Sequence, residues 1–146
     1  MLRLRDARFT GGRSRFSDHV PAILDDPNAR IYVKVQFGDG EPTLALLDTG
    51  AAWSVLDLGT AETLGTSLDW LRPARMSTRF GSLKGSLAQA RITFPADEGE
   101  PLITTATFFV SKDWPLAVSF LGYSGLLDAI RFALDPQAND FYFGLP

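Results

Sequence analysis

The chain has 146 residues, 45% of them hydrophobic, which is enough for one core and cramped for two. It contains no cysteine, so disulfides, thiol nucleophiles and thiolate metal sites are excluded together, and no apolar run approaches the roughly 20 residues of a membrane-spanning helix. The formal net charge of −3 is unevenly spread: five arginines stand in the first fifteen residues against one acid, Asp6, leaving 9 basic and 16 acidic residues, a net of −7, in the remainder.

Such a basic arm (Arg3, Arg5, Arg8, Arg13, Arg15) suits a nucleic acid or a membrane surface. A solvated segment, or one paired with the acidic body, accounts for it better, because only Phe9 and Phe16 are interleaved with the arginines. Neither a nucleic-acid nor a membrane partner is therefore expected. The opening Met1-Leu2-Arg3-Leu4-Arg5-Asp6 does not read as a signal peptide, so the expectation is a soluble, cytoplasmic protein. Residues 1–29 show little periodicity and are expected to form a partly irregular N-terminal extension before a domain at 30–146. Thr10-Gly11-Gly12 and Asp25-Asp26-Pro27-Asn28 read as turns or loops, and Val20, Ile23 and Leu24 are available to cover a sheet edge. His19 is the single histidine, and without cysteine it makes neither a zinc site nor a triad; no metal and no cofactor are expected.

Residues 31–37 alternate apolar and polar side chains of β-branched and aromatic type, the pattern of a half-buried strand. Gly38-Asp39-Gly40-Glu41-Pro42 reads as a hairpin turn, since it lacks the further glycine and the helix of a phosphate cradle. The next strand, 43–47, is continuously apolar from Leu44, as befits burial on both faces, and it delivers Asp48 into a Thr49-Gly50-Ala51 turn before apolar residues resume at Val55. A carboxylate taken out of water without partners costs several kcal/mol, so its placement at the end of a core strand suggests a use. An Asx turn between two core strands is the alternative reading.

In residues 57–71, Leu58, Ala61, Leu64 and Leu68 are spaced for a short helix or for turns, with Pro73 closing the stretch. Residues 75–80 and 85–94 read as two strands around a tip, Gly81-Ser82-Leu83-Lys84-Gly85. Asp97-Glu98-Gly99-Glu100-Pro101 reads as a solvated acidic turn, and 104–110 as a core strand. The chain closes with a strand ending in Leu121-Gly122, a short helix, and strands at 132–135 and 141–143 joined by a turn at 136–140.

Asp48-Thr49-Gly50-Ala51, preceded by Leu46-Leu47 and followed by Ser54-Val55-Leu56, resembles the strand-loop-strand signature of the aspartic proteases. Phe120-Leu121-Gly122 resembles the apolar-apolar-Gly strand which that family threads beside its catalytic loop. Gly125-Leu126-Leu127-Asp128 looks like the helix that follows in single-domain bacterial relatives of the viral retropepsins. The resemblance spans roughly residues 31–143. It implies an all-β, retropepsin-like closed barrel of β-hairpins with one short helix near the C-terminus. It also implies a catalytic Asp48 with Thr49 and Gly50, and a flap, the 75–94 hairpin, whose Phe80, Gly81, Ser82 and Leu83 bind substrate together with Ala51. An ordinary surface hairpin has the same composition. The implied substrate is a peptide or protein, and the implied assembly is a homodimer, because the chain carries one Asp-Thr-Gly while the chemistry needs two carboxylates.

Two departures stand out. Ala52 and Trp53 occupy positions that are acidic in the viral enzymes, and Tyr123 follows Leu121-Gly122 where those enzymes place the pairing arginine. A retropepsin-like domain that binds peptide or dimerises without cleaving is the alternative function. No Gly-x-Ser-x-Gly elbow, Walker motif or His/Cys cluster is present to support other enzyme classes.

Overall fold

The structure is a computed structural model, and it describes every residue except Pro21, Ile23, Asp25, Asp26 and Pro27. The edge-covering role expected of Ile23 and the turn expected at Asp25–Pro27 therefore lie outside the described residues. In chain order the strands are β1 (Arg3–Leu4), β2 (Ala7–Arg8), β3 (Gly12–Arg15), β4 (Tyr32–Phe37), β5 (Thr43–Leu47) and β6 (Ser54–Val55); after the helix α1 (Leu58–Leu64) come β7 (Asp69–Thr78), β8 (Gly81–Phe94), β9 (Glu98–Gly99), β10 (Leu102–Val110), β11 (Phe120–Leu121), β12 (Arg131–Asp135) and β13 (Asp140–Gly144).

Among the described residues the main sheet runs β10-β6-β11-β5-β4-β8-β7, and a further pairing of β10 with β8 closes six of these strands into a ring. The all-β, barrel-like expectation holds. Burial explains the closure. Val33, Val35 and Phe37 alternate with the half-exposed Lys34 and Gln36 along β4, so its apolar row turns inward. β5 is different: Ala45 and Leu47 join the larger core cluster while Leu46 joins a second cluster on the opposite face. The continuous apolar run in the sequence is thus a strand covered on both sides, and β11 divides in the same way, Leu121 to the larger core and Phe120 to the second.

Several expectations are corrected. Pro73 does not end a segment; it lies within β7, which pairs only with β8 and so needs no donor from that position on its outer side. The helix permitted by the spacing of Leu58, Ala61 and Leu64 is real, but it stops at Gly65, where the left-handed backbone (φ 50°) breaks it. Asp57 caps it, its Oδ1 accepting the Thr60 N–H at 3.0 Å. The hairpin tip is Arg79-Phe80, not 81–85, because Thr78 pairs with Gly81 and the chain reverses in two residues, with Gly81 at φ 96°. The short helix expected near the C-terminus is present as a single 3-10 turn, Leu127–Ala129.

The N-terminal segment is more ordered than its composition suggests. β3 pairs with β13 on one side and β9 on the other, within a second sheet of order β12-β13-β3-β9. Arg13 explains the capture: its guanidinium bonds Asp140 at 2.7 Å and Glu98 at 2.6 Å, so a basic strand is clamped between two acidic ones. Asp97 accepts the backbone N–H of Arg15 at 2.9 Å and pairs with Lys34 at 3.0 Å. The acidic segment at 97–101 is exposed, as expected, but its Glu98–Gly99 pair with β3 as a strand, and the basic arm is paired in part with the acidic body. His19 is exposed, as expected of a surface histidine.

Candidate active site

Asp48 leaves the end of β5 where three short strands cross. β11 lies between β5 and β6, parallel to the first and antiparallel to the second. The Asp48 N–H donates to the Leu121 carbonyl at 2.9 Å, and the Leu46 N–H to that of Ser119 at 2.9 Å, so the strand bearing the carboxylate is tied directly to β11. The return strand is tied to it as well: the Gly122 N–H donates to Ser54 Oγ at 2.9 Å, and Tyr123 and Ser124 donate to the carbonyls of Ala51 and Ala52, each at 2.9 Å.

This crossing explains two residues singled out from the sequence. Ser54, fully buried, is the hydroxyl that satisfies a buried backbone donor. Gly122 is required by space: a Cβ there would lie 2.4 Å from both the carbonyl carbon and oxygen of Trp53. The Leu-Gly pair and the Asp-Thr-Gly loop are thus two halves of one packed junction, although more than seventy residues separate them.

Within the loop the Gly50 N–H donates to Asp48 Oδ1 at 3.0 Å, and the Ala51 N–H to the Asp48 carbonyl at 3.1 Å. The Asx-turn geometry is therefore present, and it orients the carboxylate rather than consuming it, because among the described residues no protein donor reaches Oδ2. Asp48 is half-buried, while Thr49 and Gly50 are exposed.

The carboxylate lines a cleft of about 550 Å³ roofed by the β7–β8 hairpin. Asp48, Gly50 and Ala51 come from the loop, Leu46, Leu47, Val55 and Phe120 from the floor strands, and Met76, Ser77, Thr78, Arg79 and Phe80 from the hairpin. Of the residues expected to bind substrate, Ala51 and Phe80 face the cleft. Gly81, Ser82 and Leu83 do not line it; Leu83 packs into the second core cluster with Met76. The reason is the position of the tip. With the reversal at Arg79-Phe80, the descending end of β7 lies against the cleft instead of the start of β8. Thr49 is likewise absent from the lining, although its neighbours on both sides belong to it.

Arg30, Trp114, the β7 residues Met76, Ser77 and Thr78 and the tip residue Arg79 were not foreseen as lining residues. Met76 could have been found from the hairpin register once the tip was placed. Trp114, in the segment after β10, carries only the weak signal of a large aromatic residue beside Pro115. Among the described residues no other carboxylate lines the cleft, and none of their acidic or histidine side chains form a group able to hold a metal ion.

No protein-family model matches the sequence, and no curated protein matches it. Among solved structures, the crystal structure of a retropepsin-like aspartic protease from Rickettsia conorii is similar to this chain at a TM-score of 0.55 and 20% sequence identity, over 90% of this chain and 98% of that one. The chain has a retropepsin-like fold.

Proposed function

We propose that the protein is an aspartic endopeptidase whose catalytic pair consists of Asp48 from each of two copies of the chain. One observation carries this reading: the half-buried Asp48, held by the crossing of β5, β6 and β11, lines a cleft of about 550 Å³ under a hairpin. The fold shared with a retropepsin-like aspartic protease supports it.

The chemistry accounts for the second copy. In hydrolysis one carboxylate, ionised, takes a proton from water as the water oxygen attacks the scissile carbonyl carbon, and a second, protonated, gives its proton to the carbonyl oxygen. The gem-diol then collapses: the carboxyl that took the water proton gives it to the amide nitrogen, the C–N bond breaks as the other carboxylate takes a gem-diol O–H proton, and one shared proton remains. Two nearby carboxylates suit this cycle because like charges in close approach do not both ionise, so their pKa values separate. One Asp48 alone is base or acid, not both. An extended peptide would lie along the cleft, held by main-chain hydrogen bonds with alternate side chains in apolar subsites. Thr49 and Gly50 would shape the loop, and Ala51 and Phe80 would contact substrate.

The test is incubation of the purified protein with an unfolded protein substrate across acidic to neutral pH, with Asp48→Asn as control. Cleavage that disappears in a folded Asp48→Asn variant is the expected result; equal cleavage by the variant would remove Asp48 from the mechanism. That Asp48 is the one carboxylate lining the cleft among the described residues keeps a second reading in view, a peptide-binding or dimerisation module without hydrolysis. An intact substrate in the presence of a demonstrated dimer would favour that module.

A further inference from the structure

The tip of the hairpin rests on something. The Phe80 ring meets Trp114 edge-on, with centroids 5.8 Å apart and planes at 86°, and Trp114 meets Phe120 in the same manner at 5.0 Å and 83°. The lower two rings are fixed. The indole N–H of Trp114 donates to the Val118 carbonyl at 3.2 Å, its backbone N–H to the Ser111 carbonyl at 3.2 Å, and Ser111 Oγ donates to the Lys84 carbonyl at 2.6 Å. Trp114 and Phe120 are 6% and 8% exposed, whereas Phe80 is 42% exposed on a two-residue turn, with the Arg79 guanidinium 5.1 Å above its ring. An anchored aromatic shelf thus carries a ring from the exposed two-residue tip of the roof, and Phe80, Trp114 and Phe120 all line the cleft that contains Asp48.

We propose that Phe80 is a latch which occupies an aromatic subsite in the free protein. When the hairpin lifts, the same shelf, Trp114 above Phe120, receives a large apolar side chain of the bound peptide, which makes Trp114 the residue that sets the preference. This rests on the peptide-binding part of the proposed function. The shelf's ligand chemistry is written in its present occupant: it already holds a phenyl ring in the edge-on geometry that aromatic pairs favour. Peptide must displace that ring, so the latch lowers apparent affinity by the fraction of time the hairpin is shut. A single exposed edge-on pair biases such an opening by roughly three- to tenfold.

Two measurements test this, and neither needs cleavage. Brief trypsin treatment, with nicking at Arg79 read by mass, follows opening of the tip. Phe80→Ala should raise its rate roughly three- to tenfold, while circular dichroism stays that of the parent. Binding is then followed in the Asp48→Asn protein with two blocked hexapeptides that differ only in a central Phe or Ala. The Phe peptide should bind at least about tenfold more tightly. Phe80→Ala should tighten both peptides, Trp114→Ala should bring them together, and Trp114→Phe should restore the difference. Unchanged nicking in Phe80→Ala, or equal binding of the two peptides to the Asp48→Asn protein, would overturn the proposal. Phe-selective binding by a protein that hydrolyses nothing would dismiss the endopeptidase and leave the latch standing.

Discussion

Replacing Gly122 by alanine adds one methyl group to the most crowded point beside the candidate site. The new Cβ would stand 2.4 Å from the carbonyl carbon and oxygen of Trp53 and 2.8 Å from the Ser54 nitrogen, all backbone atoms without a rotamer to escape into. To reach ordinary contact, β6 and β11 must part by about 1 Å. Overpacking of this kind costs about 1–3 kcal/mol. The displacement also stretches the Gly122 N–H to Ser54 Oγ bond from 2.9 Å past its useful range and leaves a buried donor unpaired, at about 1–3 kcal/mol more. The sum, about 2–6 kcal/mol, corresponds to a fall in Tm on the order of 10 °C for a chain of this size. Activity should suffer further, because Asp48 hangs from Leu121 by its backbone N–H and a shift near 1 Å in a reacting group costs up to about a hundredfold. Thermal unfolding by circular dichroism, with cleavage assayed well below Tm, makes both measurements. Ser54→Ala is the control: it removes the bond without adding the clash, so its loss should be the smaller, about 1–3 kcal/mol. A Gly122→Ala protein within about 1 kcal/mol of the parent, or one that keeps most of its activity, would refute the idea that the close crossing of β11 with β6 positions Asp48.

If two copies share the catalytic pair, mixing wild-type protein with a roughly ninefold excess of Asp48→Asn under subunit exchange should reduce activity per wild-type chain to about a tenth by random pairing. Activity that scales simply with the wild-type chain would mean each chain works alone. Asp57→Ala removes the acceptor of the Thr60 N–H and of the Thr60 and Ser119 hydroxyls, and should cost about 1–2 kcal/mol in urea denaturation; a change below about 0.5 kcal/mol would mean that the cap contributes little. The Arg15 backbone N–H, followed by Lys34, holds the Asp97 carboxyl below its usual range, and the Arg13 guanidinium does the same for Glu98. Carboxylates depressed in the folded state stabilise it above their unfolded pKa values, near 4, and that contribution is lost as pH falls through the lower folded values. Stability should therefore decline below about pH 4, and Asp97→Asn should flatten part of that decline in pH-dependent thermal unfolding. An unchanged slope in the variant would show that Asp97 does not couple folding to pH.

Local pattern made the neighbourhood of Asp48 legible. A continuous apolar run has to be a strand covered on both faces, and the small residues that follow have to turn, so the strand-loop-strand unit and its carboxylate were visible before any contact was known. The glycine of Phe120-Leu121-Gly122 was equally visible, but the reason for it was not, since the atoms a side chain would strike belong to Trp53 and Ser54. Other features depended on partners that local chemistry does not name. The hairpin reversed at Arg79-Phe80 because the β7–β8 register pairs Thr78 with Gly81, and this moved the cleft lining from the glycine-flanked residues to Met76 and its neighbours. Gly12–Arg15 became a strand because Arg13 met carboxylates 85 and 127 residues away. Side-chain periodicity reports which face of a segment avoids water, and that information is complete within a few residues. Which strands lie next to one another, and therefore which ring rests on Trp114 and which carboxylates grip Arg13, is settled only when distant segments compete for the same buried edges.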